Sequence, residues 1–283
     1  MSVIQVPYHL DEYLPDLDVP LPPGAVINPD LPAGDVWDRL TALYSALAAA
    51  VAGEAGSGGR PVVLSGDCTT ALGTVSGLQR AGLEAGIVWF DAHGDVQTLE
   101  TTTSGYLGGL PLRLLVGYRP ELIATRLGLR AVPEHQVTLV GARDLDPPEV
   151  SYLASAQIRR CGVDELDAAG LPGGPLYVHV DLDVIDPAQL PGLRFPAPGG
   201  PGPAQVGGAL DALLGTGRVA AIGVADLSRS AGPVCSGLLL APASGHARPR
   251  AAAVSPRLGC WGGATDQHDH AWCRRREPGP DVL

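Results

Sequence analysis

Lysine is absent from this chain of 283 residues, and all nineteen basic residues are arginine. We read that absence as a bias of GC-rich coding and attach no function to it. Positive charge is not in excess either: thirty acids outweigh the arginines, giving a net charge of −11. A polyanion is repelled by such a surface, so nucleic acid and anionic membrane are excluded as partners. No run of about eighteen apolar residues occurs, the length a membrane-crossing helix needs. The start, Met1 to Pro7, has no basic segment followed by a long apolar run, so a cytoplasmic protein is expected. Close cysteine pairs are missing too. The five cysteines, at 68, 161, 235, 260 and 273, have the spacing of neither a zinc knuckle nor a disulfide framework.

What is present is an alternation of strand and helix signals. Val36 to Ala55 is apolar and alanine-rich, the pattern of a helix. Pro61 to Leu64 reads as a strand, and Thr69 or Thr70 can cap a helix running to about Arg80. Gly86 to Phe90, Gln136 to Gly141, Leu176 to Val180 and Val219 to Val224 read as further strands. Pro148 to Ser155 and Pro203 to Leu214 read as further helices. The expected fold is therefore α/β: a single domain with a mainly parallel sheet flanked by helices on both faces. Near residue 226 the composition changes. Residues 1–225 hold 12 Arg against 25 acids, whereas residues 226–283 hold 7 Arg against 5 acids and three of the five cysteines. Residues 1–225 are expected to form the α/β domain. Residues 226–283 are expected to be an atypical tail, read either as disordered or as the product of a shifted reading frame. His268 and His270 in this tail read as solvent-exposed.

Two strand ends are rich in aspartate: Asp91-Ala92-His93-Gly94-Asp95 after the Gly86 strand, and Asp181-Leu182-Asp183-Val184-Ile185-Asp186-Pro187 after the Leu176 strand. Side chains two apart on extended backbone point the same way. Asp91, His93 and Asp95 can then face one point, and Asp181 and Asp183 can face it from a neighbouring strand. Carboxylates gathered in a buried place repel one another unless a cation is present. Oxygen ligands with one imidazole suit Mn, Mg or Fe. Five candidate ligands suggest a two-metal hydrolytic site.

With these motifs the chain resembles the arginase–agmatinase, or ureohydrolase, family over roughly Pro61 to Ala225. Ser65-Gly66-Asp67-Cys68 resembles the family's Gly-Gly-Asp-His, and the two aspartate motifs match Asp-Ala-His-x-Asp and Asp-x-Asp-x-x-Asp-Pro. Thr101 to Gly105 and Gly141 to Glu149 look closer to arginases than to agmatinases. Phe195 to Gly200 fits the family's Gly-Gly loop. The resemblance implies two Mn2+ ions bridged by a hydroxide that attacks a guanidinium carbon. It implies that Asp91 and Asp181 bridge the ions, that Asp95 holds one ion and that His93 and Asp183 hold the other. Cys68 stands in the place of a histidine ligand of the first ion. Asp95 and His93 are counted with the catalytic residues, as is Asp226, which stands for a glutamate after the last strand. Gln97 and Ser104 fall where arginases contact a substrate carboxylate, Asp146 and Glu149 where they contact its amino group. Asp146 and Glu149 can also be read as helix caps, and Asp144 as structural.

Some residues depart from the family pattern. A thiolate at Cys68 is softer than imidazole and favours Zn or Fe over Mn, while a neutral thiol leaves the first ion weakly held. Gly108 stands where arginases place a proton-shuttling histidine. The cysteine with the Tyr106-Leu107-Gly108-Gly109 loop also resembles the N-hydroxyarginine-hydrolysing members that serve cycloserine biosynthesis. The expected function is a metal-dependent hydrolase of a guanidino-type C–N bond, with arginine or N-hydroxyarginine as the substrate class. The alternative is a catalytically weak or inactive arginase-fold protein with a binding or assembly role. A metallophosphatase lacks its basic phosphate clamp here. The family resemblance also implies a homo-oligomer, trimer or hexamer.

Overall fold

The computed structural model describes residues 1–227 apart from 18 and 20, together with residue 237. In chain order the strands and helices are β1 (Ser2–Val6), β2 (Tyr8–His9), β3 (Glu12–Tyr13), β4 (Ala25–Val26), α1 (Val36–Gly56), β5 (Pro61–Ser65), α2 (Ala71–Arg80), β6 (Gly86–Phe90), α3 (Pro111–Leu115), α4 (Ala124–Leu127), β7 (Val137–Val140), α5 (Pro147–Ser155), β8 (Arg159–Cys161), β9 (Leu176–Asp181), α6 (Pro203–Gly215) and β10 (Val219–Ala225). Eight strands form one sheet in the order β4-β1-β5-β10-β9-β6-β7-β8. Every pairing in it is parallel. Parallel strands buried on both faces read as unbroken apolar runs, and every residue of β5, β6 and β9 is buried. The expected α/β fold, with helices on both faces of the sheet, is the fold observed.

On one face α1 and α2 cover the sheet. The first turn of α1 is closed by a reciprocal cap: Asp38 N–H donates to Asp35 Oδ1 at 2.9 Å, and Asp35 N–H donates to Asp38 Oδ2 at 3.2 Å. Leu40, Leu43, Tyr44, Leu47, Ala48 and Val51 form its buried stripe. Its partner α2 lies so close that a Cβ at Gly77 would sit 2.7 Å from the Ala48 carbonyl oxygen. On the other face α6 buries Val206, Leu210 and Leu213 in a second apolar cluster with Val62, Val88, Val178 and Ile222.

Several features are illegible in the sequence. β1 and β4 form one end of the sheet, and β8, with two arginines in three residues, forms the other. Such short edge strands carry little apolar periodicity. The β2–β3 hairpin, pairing Tyr8 with Tyr13 and His9 with Glu12, places His9 beside the Gly66 turn. Of the expected tail, Asp226 and Leu227 are described. Residues 228–283, apart from 237, lie outside the described residues, as do His268, His270 and the cysteines at 235, 260 and 273. No helix among the described residues is long and apolar enough to cross a membrane.

Candidate active site

β5, β10, β9 and β6 are adjacent and parallel, so their carboxyl ends share one edge, where open α/β sheets bind ligands. Each contributes acidic or thiol groups there. Cys68 follows β5, Asp226 follows β10, Asp181 ends β9 with Asp183 behind it, and Asp91, His93 and Asp95 follow β6. All but Asp91 line one cavity of about 210 Å3, together with Gln97, Ser104, Asp146 and Glu149.

The backbone holds these side chains in place. Asp91 Oδ1 accepts from His93 N–H at 2.7 Å, and Asp91 Oδ2 accepts from the Trp89 indole at 3.0 Å. Asp181 Oδ1 accepts from Asp183 N–H at 2.9 Å, and Asp183 Oδ1 accepts from Ala92 N–H at 3.0 Å. That last bond ties the β6 and β9 loops together. Asp67 fixes the turn that carries Cys68, accepting from Leu10 N–H at 2.6 Å and Thr69 N–H at 2.8 Å. Arg143 ties the loop after β9 by donating to the carbonyls of Asp183, Val184, Ala197 and Pro198 at 2.6–3.1 Å.

Two ligand groups result. One joins Cys68, Asp91 and Asp181; the other joins Asp91, His93 and Asp183; in each the ligand atoms lie within 4.8 Å of one another. Asp91 belongs to both. His93 Nδ1 stands 2.9 Å from Asp183 Oδ2 and 3.4 Å from Asp91 Oδ1, while its Nε2 faces the exposed Asp144 at 3.9 Å. Asp95 belongs to neither group, but its buried Oδ2 has no hydrogen-bond partner. Asp95 and Asp226 both sit at φ 54, a left-handed conformation that is strained for a side-chain-bearing residue.

The electrostatics are those of a cage built for a cation. Asp91, Asp95, Asp181, Asp183 and Asp226 are between 1% and 8% exposed. Burial, then the charges of Asp91 and Asp181, hold the Asp95 carboxyl well above the usual range. Burial and Asp183 do the same to Asp181. Burial chiefly pushes Asp183 up to about 6 and Asp226 up to about 7. Burial opposes the charge on His93, but hydrogen bonds to Asp183 and Asp91 outweigh it and push the imidazole up to about 12. At Asp91 burial is likewise overcome, here by His93, and the carboxyl is held low. A cation removes the repulsion among these groups, so the residues fit one or two divalent ions.

Cys68 differs from its neighbours. Its thiol donates to Asp181 Oδ2 at 2.8 Å, and burial, then Asp181, raise its pKa well above the thiol norm. Behind it His179 Nε2 lies 3.1 Å from the sulfur, with His179 Nδ1 2.9 Å from the Tyr177 hydroxyl and the ring stacked on Trp89 at 3.8 Å.

The opposite wall is polar. Gln97 Nε2 donates to Asp146 Oδ2 at 2.8 Å, and Gln97 Oε1 accepts from Thr101 at 2.7 Å. Glu149 accepts from the backbone N–H groups of Asp146 and Val96 at 3.1 and 3.2 Å, so it stitches the start of α5 to the β6 loop. Ser104 lies exposed at the rim. Sequence reasoning misses His9, Tyr106 and Arg194, which also line the cavity. Tyr106 adjoins Gly108 in a quoted loop, which is the only signal for it. His9 and Arg194 have none.

An α/β sheet with an acidic cage at the carboxyl ends of its central strands defines the class of protein. A model of the arginase family matches residues 16–233, and the chain belongs to that family. It is 35% identical to an arginase of Bacillus caldovelox over 171 residues, 54% of this chain and 56% of the relative. It is 33% identical to an arginase of Bacillus subtilis strain 168 over 154 residues, 50% of this chain and 52% of the relative. The chain thus aligns with about half the length of the curated relatives it matches. The solved structure of the Bacillus caldovelox arginase superposes with a TM-score of 0.71 at 26% identity, covering 84% of this chain and 96% of that one.

Proposed function

We propose that the protein is a metal-dependent hydrolase of a guanidino-type C–N bond, acting on an arginine or N-hydroxyarginine class substrate. The observation that carries this reading is the pair of ligand groups that share Asp91. Cys68, Asp91 and Asp181 would hold one Mn2+ ion and Asp91, His93 and Asp183 the other, and Asp95, with an unpartnered buried oxygen in the same cavity, would be a further ligand. Ions bound there supply the Lewis acidity that brings the pKa of water near neutrality. The chain's own residues do the rest. The carboxylates attract a guanidinium and orient its carbon toward the strand ends. Asp146 and Glu149 offer carboxylates to an α-amino group, and Gln97 and Ser104 offer neutral donors to a carboxylate. Asp226, whose carboxyl is pushed up to about 7, can hold or release a proton beside the substrate end.

One observation favours a second reading, a weakly active or inactive member with a binding or assembly role. The Cys68 thiol is held protonated by burial and by Asp181, and a neutral thiol is a poor ligand. The deciding experiment is urea or hydroxyurea release from a panel of guanidino compounds with Mn2+ added, beside the metal content of the purified protein. Near-stoichiometric metal and turnover support the hydrolase. Metal-free, inactive protein supports the second reading.

A further inference from the structure

His9, Tyr106 and Gly108 line the cavity alongside Cys68, Asp95, Asp181 and Asp183. The Tyr106 ring folds back over Gly108, so that a Cβ there would overlap ring atom Cζ and the hydroxyl oxygen. Glycine at 108 is therefore the space in which the phenol sits. Two further rings hold it. His9 stacks on Tyr106 at 5.7 Å with an interplanar angle of 10°, and Phe195 packs against it at 5.0 Å. The Tyr106 hydroxyl is 3.1 Å from His9 Nε2, and His9 Nδ1 is 3.1 Å from the Gly66 carbonyl oxygen. A carbonyl can only accept, so Nδ1 carries a proton and, in the neutral ring, Nε2 accepts from the phenol. When the ring is protonated the direction reverses: Nε2–H donates to the phenol oxygen and frees the phenol proton for the cavity.

We infer that Tyr106 and His9 are the proton relay of this site. The inference rests on the amidine-hydrolase reading above. Water adds to the guanidino carbon and the C–N bond breaks. Its electron pair stays on the leaving nitrogen, which takes the Tyr106 proton. The phenolate takes a proton from protonated His9, and His9 regains one from solvent. The attacking water becomes the urea carbonyl oxygen and sheds two protons to solvent; one offsets the proton His9 takes back and the other carries away the positive charge of the guanidinium, so atoms and charge balance. The other lining groups suit this task less well. The carboxylates that would hold cations have no proton to give, Gln97 carries no acidic proton, and Asp226 is tied to the Arg194 backbone N–H rather than to an imidazole. Burial, then the charges of Asp67 and Cys68, raise the pKa of the phenol, so its release of a proton depends on the imidazole directly behind it to reload it.

The test uses full-length, Mn2+-loaded protein and the variants Tyr106→Phe, His9→Gly and Gly108→Ala. Bound metal and melting temperature are measured beside kcat and KM for whichever guanidino compound the wild type hydrolyses. Tyr106→Phe is expected to lower kcat by roughly 10²–10⁴-fold, with KM, metal content and melting temperature held. His9→Gly is expected to fall similarly and to recover part of its kcat when imidazole is added. Gly108→Ala, which displaces the phenol, is expected to resemble Tyr106→Phe. A Tyr106→Phe enzyme with wild-type kcat overturns the relay and leaves the hydrolase reading standing. A kcat loss that merely follows lost metal or a lowered melting temperature also overturns it. Absence of urea or hydroxyurea release by the wild type overturns the hydrolase reading, and the relay with it.

Discussion

The acidic floor of the cavity comes from residues within five positions of a central strand's end, whereas its wall comes from loops as far apart as His9, Gln97, Tyr106, Asp146 and Phe195. The floor is tied by backbone hydrogen bonds: Asp91, Asp181 and Asp183 each accept an N–H from a residue of their own loop or of the adjoining strand's. Contacts among side chains and between rings hold Gln97, Tyr106 and Phe195, and bonds to backbone add to them at Glu149 and His9. A floor built this way fixes where charge is concentrated. A wall built this way can change its side chains without disturbing the sheet. The difference puts the concentrated charge of the site in the floor, and the proposed substrate contacts and proton relay in the wall.

Breaking the floor should have the largest effect. Asp91→Ala removes the ligand that both groups share, so bound Mn2+ should drop from about two ions per chain to little or none and turnover should be lost. Metal analysis of the purified variant checks this. Retention of both ions would show that the groups are not one centre. The charge of the floor gives the next prediction. Burial pushes the Asp183 carboxyl up to about 6 and the Asp226 carboxyl up to about 7, from a usual 3.8. A carboxyl raised on folding contributes stability that is present below the unfolded value and lost as pH rises through the folded one. His93, raised from 6.5 to about 12, acts in the opposite direction in sign of charge but the same direction in stability: its contribution is full below about pH 6.5 and declines as pH rises toward the folded value. Metal-free protein should therefore lose melting temperature steadily from about pH 4 to pH 8. Each group loses about 1.4 kcal/mol for every pH unit over which its folded form is protonated and its unfolded form is not. Mn2+ should flatten the slope. Melting curves with chelator and with metal read both.

Smaller effects separate the support of the floor from the wall. Arg143→Lys gives up most of the bonds that clamp the Asp183 loop and should cost roughly 2–3 kcal/mol, seen in chemical denaturation, with weaker metal binding in proportion. Cys68→His should raise Mn2+ affinity if Cys68 is a ligand position. If the cysteine only fills space, the larger ring should cost roughly 1–3 kcal/mol with no gain in metal. Titration with Mn2+ beside a melting curve distinguishes the two. On the wall, Glu149→Gln should raise KM for an α-amino-acid substrate by roughly tenfold, the value of one charge-assisted hydrogen bond, while leaving KM for agmatine almost unchanged. Equal effects on both substrates would remove Glu149 from recognition and leave it the structural role of joining α5 to the β6 loop.

Asp91, His93, Asp95, Asp181 and Asp183 were legible because a buried parallel strand announces itself as an apolar run, and an aspartate directly after one is costly without a partner; Cys68 and Asp226 were reached only through the family resemblance. Helices α1 and α6 were legible in the same way, through long apolar stretches. The edges were not: β8 reads Arg159-Arg160-Cys161, and its place in the sheet comes from pairing with β7. Asp95 shows a finer limit. The spacing of alternate residues places it with Asp91 and His93 on one face. The structure ends the extended backbone first, turns Asp95 through φ 54 and leaves its oxygen unpartnered in the same cavity.

The amino-acid sequence by itself determined the pattern of polarity along the strands, apolar within and acidic at the carboxyl ends, and with it the α/β class and the candidacy of Asp91, His93, Asp95, Asp181 and Asp183. Those are local properties, set by the period of the backbone and the cost of burying charge. Only the tertiary structure decided that Asp91 is shared by two ligand groups, that His179 stands behind Cys68, and that Tyr106 occupies the space above Gly108 with its hydroxyl on His9. Contacts of this kind join residues from separate elements, 113 positions apart in the case of Cys68 and Asp181. Such contacts are fixed by sheet order and by the close approach of helices and loops, which no local pattern encodes.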